Sequence, residues 1–274
     1  KSDGTAVGTA LVKDIHSSHN ESSVISDMTA VGDVLYFVAT GNQASALWKT
    51  NTTATDVEPV LSLDQTEELI SSLAVMSDTL YLLTRTTTDL ALMRIKGTQT
   101  TTIPLQPAPS THIKNYVYPL VVVGNRLFFN IVYHQLNAAG EVVEQEGVLW
   151  VSDGSSRGTQ IVKRMLPSGN IGQDLVAFQN QLYFIAAASA DPNQLALWRS
   201  DGTGTGTLEV KEVPWTQFAT QPPYFTVIGE QLFFLGGTES DDTSALWRSD
   251  GTSDGTHIVT LLQTYGCNFN DFLV

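Results

Sequence analysis

Cysteine is almost missing from this chain: Cys267 is the only one in 274 residues. No intrachain disulfide and no cysteine-based zinc site can form, and Cys267 reads as a small buried or edge residue. Basic side chains are also scarce, 14 Lys and Arg against 28 Asp and Glu, giving a formal net charge of −14. Such a field repels phosphate backbones and anionic lipid, so nucleic acid is excluded as an expected partner. No stretch reaches the roughly 18 apolar residues of a membrane-spanning helix, so no membrane insertion is expected. The N-terminus lacks the basic and apolar regions of a secretory leader, although a mature secreted chain would look the same after cleavage. No long run carries the period of an amphipathic helix, and only 15% of residues are charged. What is present is a 42% hydrophobic content, enough for a large core, with turns rich in Thr, Asn and Gly. The acidity and the low Lys content fit an extracellular setting.

The chain repeats itself. RSDGTGTGT at 199–207 recurs as RSDGTSDGT at 248–256, 49 residues later, with VSDGSSRGT at 151–159 and KSDGTAVGT at 1–9. KTNTTATDV at 49–57 and RIKGTQTTT at 94–102 are degenerate copies. Five of the six follow an apolar segment ending in Trp48, Met93, Trp150, Trp198 or Trp247. Further upstream lie GDVLYFVA, SDTLYLLT, GNRLFFNI, QNQLYFIA and GEQLFFLG, each opening on a polar two-residue turn and preceded by another apolar stretch. The pair reads as a β-hairpin. The unit is therefore strand A, tight turn, strand B, longer loop, strand C ending in LW, DGT turn, strand D.

In VLYFVA, Val34, Tyr36 and Val38 and the alternate set Leu35, Phe37 and Ala39 are all apolar. A middle strand covered on both faces requires that. Four-stranded units of about 40–50 residues, each too small to bury its own faces, mark propeller blades. The expectation is an all-β β-propeller of antiparallel blades in one domain, 1–274, with blades near 27–63, 72–106, 118–166, 174–213 and 224–262. Segments 9–15 and 270–274 are expected as strands of a partial further blade, in a slice of a longer array or a six-bladed ring closed by both termini.

The ALWRSDGT strings ending at Thr203 and Thr252, and VLWVSDGS ending at Ser155, resemble the ELWxxDGT-repeat family of bacterial surface or secreted proteins. The likeness covers essentially the whole chain. It departs at Met93 and Lys96, at Asn51, and in the Ala or Val that replaces the family's Glu throughout. The resemblance implies architecture and an extracellular, cell-surface location rather than an activity.

Within SDGTxxGT, the turn reading has Asp3, Asp153, Asp201 and Asp250 accept backbone N–H bonds, has Gly4, Gly154, Gly202 and Gly251 supply a positive φ, and has Thr begin strand D. The alternative makes the four Asp residues calcium ligands. Calcium takes six to eight oxygens, whereas each turn offers one carboxylate, and Lys96 replaces the Asp in one copy. No other cofactor is indicated. Trp48, Met93, Trp150, Trp198 and Trp247, recurring at one blade position, read as core.

In an up-and-down blade the A–B and C–D turns share one face and the B–C and D–A loops the other. The second set carries the irregularity, around 15–26, 105–117, 133–147 and 213–223. Binding is therefore expected there. Candidate ligand-binding residues are Tyr116, Tyr133, His134, Trp215, Phe218 and Tyr224, with His16, His19, His112, Glu144 and Glu146 nearby; several could equally form local minicores beneath their loops. His16 and His19 lack a third metal ligand in reach. Nucleophile, phosphate-loop and HExxH motifs are absent. The expected function is a noncatalytic extracellular scaffold binding a glycan or protein, with further copies or domains of the same surface protein as partners. Two alternatives stay open: a carbohydrate-active hydrolase or lyase using carboxylates such as Asp241 and Asp242 or Glu144 and Glu146, and a structural segment of a larger surface assembly or filament.

Overall fold

A computed structural model describes residues 1–15, 24–40, 45–51, 57–62, 68–69, 72–85, 90–105, 113–117, 119–137, 139, 141–165, 174–189, 191, 194–214, 224–238 and 244–262. Every regular element among them is a β-strand. The chain packs as two units, Lys1–Ala108 with Gly154–Ser156, and Pro109–Asp153 with Arg157–Val274. None of the described residues forms a helix long and apolar enough to cross a membrane.

Five antiparallel sheets, each four strands deep in the order A–B–C–D, are the blades of an all-β propeller fold. In the first unit, blade one is β1 (Val24–Val31), β2 (Val34–Thr40), β3 (Ser45–Asn51) and β4 (Val57–Ser62). Blade two splits its outer strand A into β5 (Glu68–Leu69) and β6 (Ala74–Met76), both paired with β7 (Thr79–Arg85), followed by β8 (Leu90–Lys96) and β9 (Gln99–Pro104).

The second unit holds three blades. Blade three also splits its outer strand, into β10 (Ile113–Val117) and β11 (Val121–Val123), against β12 (Arg126–Leu136), β13 (Val142–Ser152) and β14 (Gln160–Met165). Blade four is β15 (Leu175–Phe178), β16 (Gln181–Ala187), β17 (Leu195–Ser200) and β18 (Leu208–Val213). Blade five is β19 (Thr226–Ile228), β20 (Gln231–Gly237), β21 (Ser244–Ser249) and β22 (His257–Leu262).

The B strands of blades one to four are buried on consecutive residues, Tyr36 to Ala39, Leu80 to Leu83, Leu127 to Tyr133 and Leu182 to Ala187. Both faces of each strand are therefore covered, and the cores lie between blades. Tyr36 and Val38 of blade one pack with Leu80, Leu82 and Met93 of blade two. Phe128 and Leu149 of blade three meet Phe184 and Trp198 of blade four. Tyr183 and Leu197 of blade four meet Phe234 and Trp247 of blade five.

Residues 9–15, expected as a strand, form none: no strand C among the described residues offers them a ladder. Val12 and Ile15 still pack against Phe37, Ala39 and Val57 of blade one, as a covering strand would. Segment 270–274 lies outside the described residues.

The C–D ladders of blades one, three, four and five slip by one residue at Leu47/Trp48, Leu149/Trp150, Leu197/Trp198 and Leu246/Trp247. Blade two, with Met93 at that position, keeps its register from Ala91 to Lys96. A bulge re-aims a side chain and adds twist, and here it accompanies the tryptophan each time.

Candidate functional site: the repeat turns and the arm of blade three

The SDGTxxGT turn is a closed hydrogen-bond network. At 200–207, Asp201 Oδ1 accepts from Thr203 N at 2.8 Å and Thr203 Oγ1 at 2.7 Å. Thr203 Oγ1 in turn accepts from Gly206 N at 2.9 Å. Gly202 N donates to Ser200 Oγ, which shares a hydrogen bond of 2.7 Å with Thr207 Oγ1. The same bonds recur around Asp3 and Asp250. Donation from the Thr203 hydroxyl and backbone N–H holds the Asp201 carboxyl below its ordinary range, and Thr5 and Thr252 do the same for Asp3 and Asp250.

Gly4, Gly154, Gly202 and Gly251 all have φ between 86° and 91°. The second glycine has a different reason. A Cβ at Gly8, Gly158, Gly206 or Gly255 would overlap the carboxylate of Asp3, Asp153, Asp201 or Asp250, respectively. Thr203 does not begin strand D; β18 starts five residues later, because Thr203 is spent inside the turn. Each turn thus offers one carboxylate, and in three of the four copies, at Asp3, Asp201 and Asp250, the turn's own threonine already engages it. No cluster of three or more His, Cys, Asp or Glu able to hold a metal occurs among the described residues. The degenerate copy of blade two closes through Gly97 and Thr98 alone, and Gly97 meets no neighbouring atom within 4 Å.

Met93, Trp150, Trp198 and Trp247 are buried, whereas Trp48 is half-buried. Trp198 Nε1 donates to Ala187 O and Trp247 Nε1 to Gly237 O, both at 3.1 Å. Each ring stacks on the strand B aromatic beside it, Phe184 or Phe234. A clamp not anticipated from the sequence runs from the preceding repeat, from strand D in blade three and from the segment 9–15 before blade one. Lys163 Nζ lies 4.7 Å from the Trp198 ring centre and donates to Thr207 O, and Lys13 Nζ lies 5.5 Å from the Trp48 ring and donates to Val57 O. The recurrent Val-Lys of LVKD, IVKR and EVKE was the available signal.

Blade three departs from the pattern. The segment 133–147, expected as an irregular loop, continues the β12–β13 ladder through Tyr133↔Glu146, His134↔Gln145, Gln135↔Glu144 and Leu136↔Val142. The arm is eleven residues a side and ends in a turn where Asn137 Oδ1 accepts from Ala139 N and Glu141 N, both at 2.9 Å. Alternating Val, Tyr, Leu and Val favour a strand, and β10 supplies the outer edge. Tyr116, expected in a loop, sits on β10 opposite Val132.

Tyr133, expected as an exposed binding aromatic, is buried. Burial pushes its hydroxyl up to about 12, opposed by the Trp150 indole N–H, which approaches that hydroxyl. Trp150 Nε1 itself meets no acceptor at hydrogen-bonding geometry. In the arm, the atom equivalent to Ala187 O belongs to Val132, which lies in the interior of the ladder, whereas Ala187 is the last residue of its own.

His134 is half-buried, and Arg164 Nη1 pairs with Glu146 at 2.6 Å. Val142 and Val143 near the tip are exposed. Tyr224 is half-buried with φ 48°, and its N–H and that of Phe225 are held by the Asp174 carboxylate, whose pKa burial raises. Phe225 packs on Phe234 at 5.6 Å with the rings tilted by 52°, fixing the entry to that strand. Trp215, Phe218, His16, His19, His112, Asp241, Asp242 and Cys267 lie outside the described residues, and of Glu144 only the backbone is described. The described parts of the site thus place His134 and Glu146 on the arm, Glu146 paired with Arg164 of β14, and Asp174 with Tyr224 at the junction of blades four and five.

No protein-family model and no curated protein matches the chain. Among solved structures it is similar to an acylaminoacyl peptidase in complex with Z-Gly-Gly-Phe-chloromethyl ketone, at 8% identity and TM-score 0.52, over 84% of this chain and 38% of that one. It is also similar to the Pyrococcus horikoshii acylaminoacyl peptidase, at 9% identity and TM-score 0.51, over the same shares. TolB from Acinetobacter baumannii aligns at 10% identity and TM-score 0.44, over 85% of this chain and 53% of that one. The chain thus spans between about two fifths and half of these proteins' lengths. At such identities the likeness carries the fold alone, and the class it defines with the five sheets is that of β-propeller proteins.

Proposed function

We propose that the chain is a noncatalytic, extracellular binding scaffold of the ELWxxDGT-repeat type that takes a protein ligand on the arm of blade three. The observation that carries this reading is the arm itself. The repeat elsewhere spends its polar groups inside turns and its aromatics between blades, whereas the arm adds a regular ladder that no core requires. Its tip presents Val142 and Val143 beside Glu141, with the Arg164–Glu146 pair at its base. Aliphatic side chains on a stiff hairpin, rimmed by charge, suit a protein surface. With Tyr133 buried, the arm lacks that flat ring for a sugar to stack on. The acidity, the low Lys content and the family resemblance support the extracellular setting.

The test is binding of the intact chain to arrays of extracellular proteins and of glycans, beside a Val142→Asp, Val143→Asp double variant. Retained protein ligands that the double variant loses by more than about tenfold support the reading. Binding confined to glycans, or release of reducing ends from a polysaccharide, overturns it.

A further inference from the structure

We infer that the joint between blades one and two is an opening point built into the fold: these two blades part there while the joints between blades three and four and between four and five stay shut. The inference is independent of the binding role given to the blade-three arm. It starts from two kinds of contact that cross the other joints. In the first, the SDGTxxGT turn of one repeat reaches back over the middle strand of the repeat before it. A Cβ at Gly202 would meet Phe128 and Arg126 of blade three, and one at Gly251 would meet Tyr183 of blade four. Arg126 Nη1 also donates to Asp201 O. In the second, the end of one repeat grips the next. Lys163 Nζ sits over the Trp198 ring and donates to Thr207 O, and Pro214 O, just past β18, accepts from Gly237 N of β20 at 2.7 Å.

Between blades one and two the residues that make these contacts are replaced. The C–D turn of blade two is cut to Gly97 and Thr98, too short to reach back, and Gly97 has no atom of the described residues within 4 Å. Lys49 on strand C of blade one is spent on Glu58 of its own blade, at 2.9 Å. On strand D, Leu61 stands where blade three has Lys163: each lies opposite the leucine that precedes the strand C tryptophan, Leu47 in one blade and Leu149 in the other. Met93 stands where blade four has Trp198, so the ring that the lysine would cover is missing as well. The core of this joint, Tyr36, Val38, Leu47 and Leu61 of blade one with Leu80, Leu82 and Met93 of blade two, holds by burial, which has no preferred direction. Local opening is drawn from the part of a fold that is tied least. The turn tie and the lysine clamp are lost together at this one joint, whereas the joint of blades three and four keeps both.

Thiol labelling of the full chain under native conditions tests this, since a buried thiol reacts only while its surroundings are open. Cys267→Ala removes the native thiol. Val38→Cys, Ala186→Cys and Ala245→Cys then place one reporter each in the joint of blades one and two, of three and four, and of four and five, in that order. The Val38→Cys chain is expected to react with iodoacetamide more than about tenfold faster than the other two. Adding Arg126→Met and Lys163→Met to the Ala186→Cys chain removes both ties of its joint and is expected to raise its rate by a similar factor. Circular dichroism checks that each variant keeps its sheets. If Val38→Cys unfolds, hydrogen exchange of the unaltered chain gives the second reading, with β2 expected to exchange more than about tenfold faster than β16. Equal rates at the joints by either measure, or an Ala186→Cys rate that the loss of both ties leaves unchanged, overturns the inference.

Discussion

Replacing the blade tryptophans by phenylalanine separates two contributions that their common burial conceals. Trp198→Phe keeps an aromatic over Phe184 but removes the indole N–H that Ala187 O accepts. The lost ring volume costs roughly 1–2 kcal/mol at a packed site. Leaving a buried carbonyl without its donor adds about 1–3 kcal/mol. Trp150→Phe loses similar volume, over Phe129, but its N–H approaches the Tyr133 hydroxyl only outside good hydrogen-bonding geometry, so the second contribution is weak and removal of a poorly matched donor offsets part of the first. The expected order is therefore Trp198→Phe and Trp247→Phe well above Trp150→Phe, with a gap of about 1–3 kcal/mol. Equilibrium urea unfolding followed by far-UV circular dichroism measures it. Equal losses at Trp150 and Trp198 would refute the assignment of the N–H bond as the difference.

Lys163→Met removes the cation above Trp198 and the bond to Thr207 O, and should lower stability by about 1–2 kcal/mol in the same titration. Gly206→Ala should destabilise by roughly 1–3 kcal/mol because its methyl overlaps the Asp201 carboxylate, whereas adding Gly206→Ala to Asp201→Ala should cost under about 0.5 kcal/mol, a non-additivity that a double-mutant cycle reads directly. Burial raises the Asp174 carboxyl above its ordinary 3.8, so its contribution is fully present below that value and is lost as pH rises through the raised one. Melting temperatures of wild type and Asp174→Asn should therefore diverge across that window in the variant's favour as pH rises, and parallel curves would contradict it. The lowered carboxyls of Asp3, Asp201 and Asp250 act with the opposite sign, weakening the turns as pH falls below the usual carboxylate range.

The blades were readable because a middle strand covered on both faces cannot alternate, and LYFV, LYLL and LFFN do not. The turn motif was readable as chemistry, yet its second glycine was not. Nothing in a string says that a carboxylate three residues after Trp198 will fold back onto Gly206. The arm of blade three was misplaced because Gln, Asn and Glu between 135 and 146 look like loop composition, while the cross-strand ladder that orders them depends on β10, a segment twenty residues away. Tyr133 followed the same error: an aromatic in a supposed loop invites a ligand, and the same aromatic one residue further along a strand face is core. Asp174 and Arg164 escaped notice because each acts on a neighbour reached only through folding, Tyr224 in one case and Glu146 in the other.

The lysine grip has a consequence for how such chains lengthen. Because Lys13 and Lys163 each hold the tryptophan of the following repeat, the bond that joins two modules is written half in one period and half in the next. A gene duplication that begins anywhere in the period copies both halves together. Copy number can therefore change without any junction having to be invented, and the strength of each new seam is inherited with the segment that creates it.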